Sequence, residues 1–237
     1  MKATQFEFLV RATLGGLIDP RLCPACGASL AGREIFCPGC RERLLPVTNP
    51  CRLCGLENRT RDDTCAACLY DPPRWQHMVA PLIYRGMTRD LLMRFKFSGA
   101  LWIADSLLRS LVGYYAARPA VPAVLIPVPL HRNRLLERGF NQAAEIARWL
   151  SIRLDIPVDE HAMTRVKPTV AQSGLSANQR EKNILKAFQY RDHGSYRHVA
   201  VIDDVVTTGS TANEITRTLH RGGVEIVEIW SIARVLK

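Results

Sequence analysis

The stretch VAVIDDVVTTGST, residues 199–211, constrains this chain more than any other. Val199 to Ile202 have the length and β-branched, apolar composition of a buried strand in a parallel sheet. Asp203 and Asp204 close that strand, and a small polar turn carrying Thr207, Thr208, Gly209, Ser210 and Thr211 leads into the helical pattern TANEITRTLHRGG. Such an elbow collects unpaired backbone N–H groups at the positive end of a helix dipole, where a phosphate is favoured. Hydroxyls add donors, and Gly209 gives a ligand room to approach the backbone. The acids, at a strand end expected to fray, are free to take sugar hydroxyls or to act through a metal. An ordinary N-cap also uses Thr, Ser and Asp, but an acid pair, TTG and two further hydroxyls in fixed order are far more specific than a cap.

A chain of 237 residues can bury one good core and carry a small satellite domain. No apolar run approaches the roughly 18 residues of a membrane helix, and no cleavable leader is recognisable. The opening FEFLVRATLGGLIDP, interrupted by Arg11, has the pattern of a short amphipathic helix, and a cytoplasmic location is expected. The formal net charge of +10 suits a polyanion, whether nucleic acid, anionic lipid or a polyphosphate ligand. Arginines cluster at 132–138, 148–165 and 180–197, an arrangement that a plain solvated face would also give.

All eight cysteines lie in residues 23–68 as four C-x2-C pairs: Cys23/Cys26, Cys37/Cys40, Cys51/Cys54 and Cys65/Cys68. The second half repeats the first at an offset of 28, with Gly27 and Gly55 after the same pair in each copy, so a small ribbon is duplicated. Two knuckles of this type complete a closed tetrahedral thiolate site, and loops so poor in large apolar residues need metal or cross-links to fold. Structural zinc, two ions, is expected over disulfides because adjacent pairs of this spacing typify zinc ribbons. Ten residues separate every consecutive pair, so spacing alone does not choose the ligand sets. The repeat favours Cys23, Cys26, Cys37 and Cys40 on one ion and Cys51, Cys54, Cys65 and Cys68 on the other, with a cross-braced arrangement as the alternative.

DPPRW at 71–75 marks a linker, and the expected division is 1–72 (N-terminal helix and double ribbon) and 73–237. In the second part a helical segment spans about 76–118 and an α/β core about 123–237. HMVAPLIYRG has the pattern of a strand entering a turn, TRDLLMRFKFSG of a helix stopped by Gly99, and LWIADSLLRSLVGYYAA of a second helix. Lys96 near the first helix end could complement the dipole or face a ligand. AVLIPVPL, 123–130, is the next buried strand, followed by a loop dense in Arg132, Arg134 and Arg138, whose guanidinium groups suit phosphate oxygens, and then a helix through AAEIARWL. Residues 157–161 form a weak strand. The polar segment after it, with Pro168 and Gly174, has the character of a loop, in which Ser176 and Gln179 resemble a capping box. Gly222 and Gly223 end the helix after the elbow, VEIVEIWSIARV forms an alternating last strand, and Trp230 belongs in the core. Alternating strands and helices predict a parallel sheet with helices on both faces and ligands at the strand C-termini.

The elbow resembles the phosphoribosyl-pyrophosphate (PRPP) signature of type I phosphoribosyltransferases and departs from it nowhere. Together with KFSG, PVPLHRNRLLERGFNQ and the double ribbon, in that arrangement over nearly the whole chain, it resembles the ComF/GntX family of competence-associated phosphoribosyltransferase-like proteins. The resemblance implies a type I phosphoribosyltransferase fold behind a zinc ribbon, and PRPP bound with Mg²⁺. It assigns the ribose to Asp203 and Asp204 as catalytic residues, and the 5′-phosphate to Thr207, Thr208, Gly209, Ser210 and Thr211. Arg132, Arg134, Arg138 and Lys96 face the pyrophosphate, and Arg165, Gln172, Arg180 and Asn183 lie on a lid. Two activities follow: phosphoribosyl transfer to an acceptor that no segment of the chain identifies, or a non-catalytic PRPP sensor that binds single-stranded DNA through the ribbon and basic face. DNA-uptake proteins are the implied partners.

Overall fold

The computed structural model describes residues 19, 21–60, 62–117, 120–167, 184–192 and 194–236, with Ser98 as backbone alone. The N-terminal helix expected within residues 1–18 and the Ser176/Gln179 turn lie outside them, as do Gln172, Arg180 and Asn183.

The duplication in sequence is a duplication in structure. In the first ribbon Leu22 bridges Ser29 and Cys23 N–H donates to Ala28 O; in the second Pro50 bridges Glu57 and Cys51 N–H donates to Leu56 O. Gly27 and Gly55 take positive φ of 77° and 66° in equivalent turns, and each copy ends in a short helix, α1 (Pro38–Arg43) and α2 (Ala66–Tyr70).

Beyond the linker, β1 (His77–Val79) and β2 (Leu82–Ile83) precede two helices, α3 (Gly86–Ser98) and α4 (Leu101–Ala116). Gly99 ends α3 in the left-handed region at φ 61°. Then come β3 (Val124–Pro127), α5 (Arg132–Arg138), α6 (Gln142–Leu154), β4 (Met163–Arg165), β5 (Phe188–Tyr190), β6 (His198–Val206), α7 (Ser210–Arg221) and β7 (Ile226–Arg234). The main sheet is parallel in the order β1-β7-β6-β3, with β2 also on β7.

Alternate residues of β6 face opposite layers. Ala200 and Ile202 join α3, α4 and α6 through Leu92, Phe95, Leu107 and Ile146, whereas Val199 and Val201 meet Ile215 and Leu219 of α7. Helices on both faces of a parallel sheet, behind a cysteine-rich segment, are the architecture that the sequence predicts. Trp230 is 1% exposed and packs on Tyr115, as a core residue should.

Several expectations are corrected. The strand of the signature does not stop at the acids: it runs to Val206, because Val205 and Val206 pair with Ala233 and Arg234. The arginine-rich loop after β3 is α5, started by His131, whose side chain accepts from Asn133 N–H. The weak strand at 157–161 reduces to one bridge, Leu125 to Val158, and extended structure forms instead at 163–165, where β5 supplies an antiparallel partner. The last strand does not alternate: from Val227 to Arg234 every residue is buried, because β7 lies between β1 and β6 with both faces covered.

The ribbons are not detached from this core. Cys23, Phe36, Cys40 and Leu44 lie in the same buried cluster as Val79, Leu82 and Leu91. The chain between ribbons adds Pro46 antiparallel to Leu82, with Val47 N–H donating to Pro81 O and Ile83 N–H to Leu45 O.

Candidate functional site

β6 carries the two acids to the end of the sheet and turns into α7 through the elbow. Gly209 takes φ 86°, which an L side chain rarely adopts, and this left-handed step is where the strand becomes helix. Thr208 Oγ1 and Ser210 Oγ lie 2.8 Å apart, and Ser210 N–H donates to Thr208 Oγ1 at 3.3 Å. The amides of Thr207, Thr208 and Gly209 are donors in none of the described hydrogen bonds outside helices and strands. A Cβ at Gly209 would stand 3.0 Å from Trp75 Cη2, so an indole also makes a close approach to the backbone there.

Asp204 is 8% exposed, and its Oδ2 lies 2.8 Å from Lys96 Nζ at the end of α3. Burial would lower the Lys96 ammonium, but Asp204, with Asp203 behind it, holds it above its ordinary value. Asp203 accepts from Asp204 N–H at 2.9 Å. Burial, then the adjacent Asp204 charge, push its carboxyl up to about 7 against the pull of Lys96. Arg165 on β4 is depressed by burial and next by the like charge of Arg134, while Asp203 draws it up, so these three groups share one electrostatic neighbourhood. The fold therefore gathers Lys96, Asp203, Asp204, Arg134 and Arg165 from α3, β6, α5 and β4.

The other arginines are placed differently. Arg138 donates to Gln142 Oε1 at 3.1 Å and lies 5.4 Å over the Phe97 ring. Arg132 is exposed and lines a cleft of about 560 Å³ beside the end of β3, with Asn141, Arg148, His161 and Arg165. Within that cleft Arg148 is engaged by Glu160 through two hydrogen bonds of 2.6 Å and by Glu145 through a third.

Two residues around the elbow escaped sequence reasoning. Arg234, 3% exposed, donates through Nη1 to the carbonyls of Val206 and Thr207. Trp75 backs Gly209. A lone guanidinium in the apolar run WSIARV was the available signal for the first; nothing local marked the second.

The cysteines converge as two sets, Cys23, Cys26, Cys37, Cys40 and Cys51, Cys54, Cys65, Cys68, with the sulfurs of each set within 4.8 Å of one another. This is the repeat-based pairing and excludes the cross-braced one. Cys26 and Cys37 sulfurs are 3.7 Å apart and Cys54 and Cys65 sulfurs 3.8 Å, matching the edge of about 3.8 Å that a tetrahedron with Zn–S of about 2.3 Å requires. Burial raises the Cys51 thiol, but backbone N–H groups of Cys65, Cys54 and Leu53 outweigh it and bring the group to about 7. Cys23 is brought to about 7 in the same way by the amides of Cys37, Cys26 and Ala25. Both sets fit a tetrahedral metal ion.

No protein-family model matches the chain. Competence protein F of Haemophilus influenzae is 38% identical over 90% of this chain and 96% of its own length. The chain belongs to the ComF/GntX family. DNA utilization protein YhgH of Escherichia coli K12, 35% identical over 93% of this chain and 100% of its own, is similar over the same span. Among solved structures, a purine phosphoribosyltransferase from Pyrococcus horikoshii is 20% identical with a TM-score of 0.31, covering 57% of this chain and 87% of that one. For this family member, no helix among the described residues is long and apolar enough to cross a membrane.

Proposed function

We propose that this ComF/GntX protein binds PRPP with Mg²⁺ and serves DNA uptake or utilisation, with phosphoribosyl transfer as its chemistry. The observation that carries the reading is the elbow: a hydroxyl-lined turn at the head of α7, directly after two acids of which Asp204 is buried and paired with Lys96. The 5′-phosphate would lie on the Thr207–Thr211 turn and the ribose hydroxyls on Asp203 and Asp204. Arg134, Arg165 and Lys96 would neutralise the departing pyrophosphate charge, a role supported by their electrostatic coupling to the acid pair. Mg²⁺, when bound with PRPP, would offset further charge on the pyrophosphate. Lys96 exchanges part of its contact with Asp204 for the ligand, so binding frees the carboxylate for the ribose. Structural zinc would be held by the two cysteine sets.

Calorimetry with PRPP and Mg²⁺ tests this. Binding is expected for the wild type and weakened, by about 30- to 150-fold, in Asp204→Asn, since a hydrogen-bonded charged group contributes roughly 2–3 kcal/mol. Wild-type protein that takes up no PRPP would refute the reading, and pyrophosphate release on adding nucleobases or DNA would identify the acceptor.

A second activity, binding of single-stranded DNA beside the same site, is supported by the surface of α5. None of its residues is buried: Leu136 is 75% exposed, and Phe97, 66% exposed, lies under Arg138 with Arg132 and Arg134 nearby in sequence. Aromatic faces among guanidinium groups suit a single strand.

A further inference from the structure

The second cysteine cluster and the elbow are joined by two side chains that the proposed chemistry does not use. Trp75 Nε1 donates to Leu53 O at 2.5 Å, and the edge of the same indole fills the space against Gly209. Arg234 Nε donates to Cys54 O at 3.0 Å, while its Nη1 donates to Val206 O at 2.9 Å and to Thr207 O. Leu53 and Cys54 are adjacent residues of one knuckle, Cys51–Cys54, and Cys51 Sγ accepts from the N–H of Cys65, on the other knuckle of the same set, at 3.3 Å. Both connections therefore start at one cysteine knuckle and end on one strand-to-helix elbow. The first cluster is attached elsewhere, with Pro24 O accepting from Arg94 of α3 at 3.3 Å.

We infer that Trp75 and Arg234 are positioning residues through which metal binding at Cys51, Cys54, Cys65 and Cys68 sets the conformation of the Val206–Thr211 elbow. A metal ion on these sulfurs fixes the direction of the Leu53 and Cys54 carbonyls. Those carbonyls hold an indole and a guanidinium in single positions, and these in turn hold Gly209 in its left-handed conformation and the Val206 and Thr207 carbonyls away from the ligand side. When the knuckle opens, Trp75 loses its acceptor and Arg234, 3% exposed, loses the acceptor of its Nε, so the guanidinium is held from the elbow side alone. The elbow then loosens and a phosphate meets a less organised set of amides. The effect on PRPP rests on the proposed function; the effect on the elbow does not.

Amide hydrogen exchange of the zinc-loaded full-length protein tests this, with β3 amides as the internal control for global opening. Trp75→Phe deletes the bond to Leu53 O and withdraws the indole edge that meets Gly209; it is expected to speed exchange at Ser210 and Asn213, whose amides donate to Thr208 Oγ1 and Gly209 O, by about 5-fold or more, the equivalent of at least one hydrogen bond. Cys65→Ser, which should release one zinc equivalent, is expected to speed the same amides at least as much. Cys37→Ser, its counterpart at an offset of 28, should also release one equivalent and leave the Ser210 and Asn213 amides at the wild-type rate. PRPP affinity should fall about 5-fold in Trp75→Phe. Equal responses of the elbow to Cys65→Ser and Cys37→Ser, or none to Trp75→Phe and Cys65→Ser, would overturn the inference. Faster exchange in a protein whose wild type takes up no PRPP would uphold the coupling and reject the PRPP reading alone.

Discussion

Asp203 is held by opposing forces. Burial and the Asp204 charge raise its carboxyl from 3.8 to about 7, although Lys96 and the Asp204 amide work against them. A carboxyl raised on folding binds its proton more tightly in the folded state. Its contribution to stability therefore falls as pH rises from about 4 through about 7, and the penalty is complete above that. Asp203→Asn is accordingly expected to raise the melting temperature at pH 8, by several degrees at about 2–4 °C per kcal/mol, and to leave it nearly unchanged at pH 4. Equal shifts at the two pH values would show that the carboxyl is not raised. In the wild type, PRPP binding should strengthen from pH 6 to pH 8 as the proton leaves. At this scale the chemical identity of Asp203, Asp204 and the hydroxyls was legible in sequence because the elbow is local. The Lys96 partner was not, because it arrives from a helix more than a hundred residues earlier. Gly209 was recognised as a close-approach position, but the neighbour, Trp75, is likewise remote in sequence.

Element by element, α5 departs furthest from expectation and bears most directly on partners. His131 caps it, Gly139 ends it at φ 77°, and no residue of it enters the core. With no buried residue, this helix displays Arg132, Arg134, Leu135 and Leu136. Single-stranded DNA binding is expected to weaken steeply with salt, with a slope near −0.7 for each phosphate contacted, measured by fluorescence anisotropy from 50 to 300 mM. Arg132→Ala should make the slope shallower by about 0.7, whereas Phe97→Ala should weaken binding at every salt with the slope kept. A flat salt response would exclude the basic face as a DNA surface. The periodicity of RNRLLER was insufficient to announce a helix because its apolar pair, Leu135 and Leu136, does not repeat on one face. The misjudged ends of β6 and the character of β7 have a related cause: pairing with a neighbouring strand extends a strand past its apolar run, and a central position buries both faces whatever the local alternation.

Across the whole molecule, ribbon and sheet close one another. The first ribbon contributes Phe36, Cys40 and Leu44 to the cluster beneath α3, and the second is fixed by Trp75 and Arg234. Stripping both metals with a strong chelator is therefore expected to lower the melting temperature of the entire chain by about 10 °C or more, in calorimetry at neutral pH, because the metal free energy is folding free energy. An unchanged transition would show that the core closes without the ribbons. The sequence by itself determined the repeat of C-x2-C knuckles, the strand–elbow–helix carrying the acids, and the alternation that yields a parallel sheet, since each depends on interactions within a few residues or on a repeat that can be counted. Which cysteines share a site was favoured by that repeat but decided only when the chain folded and excluded the cross-braced set. That Lys96 meets Asp204, and that one knuckle supports the elbow through an indole and a guanidinium, were fixed only by tertiary structure. Those contacts join residues brought together by burial of a common core, which no local pattern encodes.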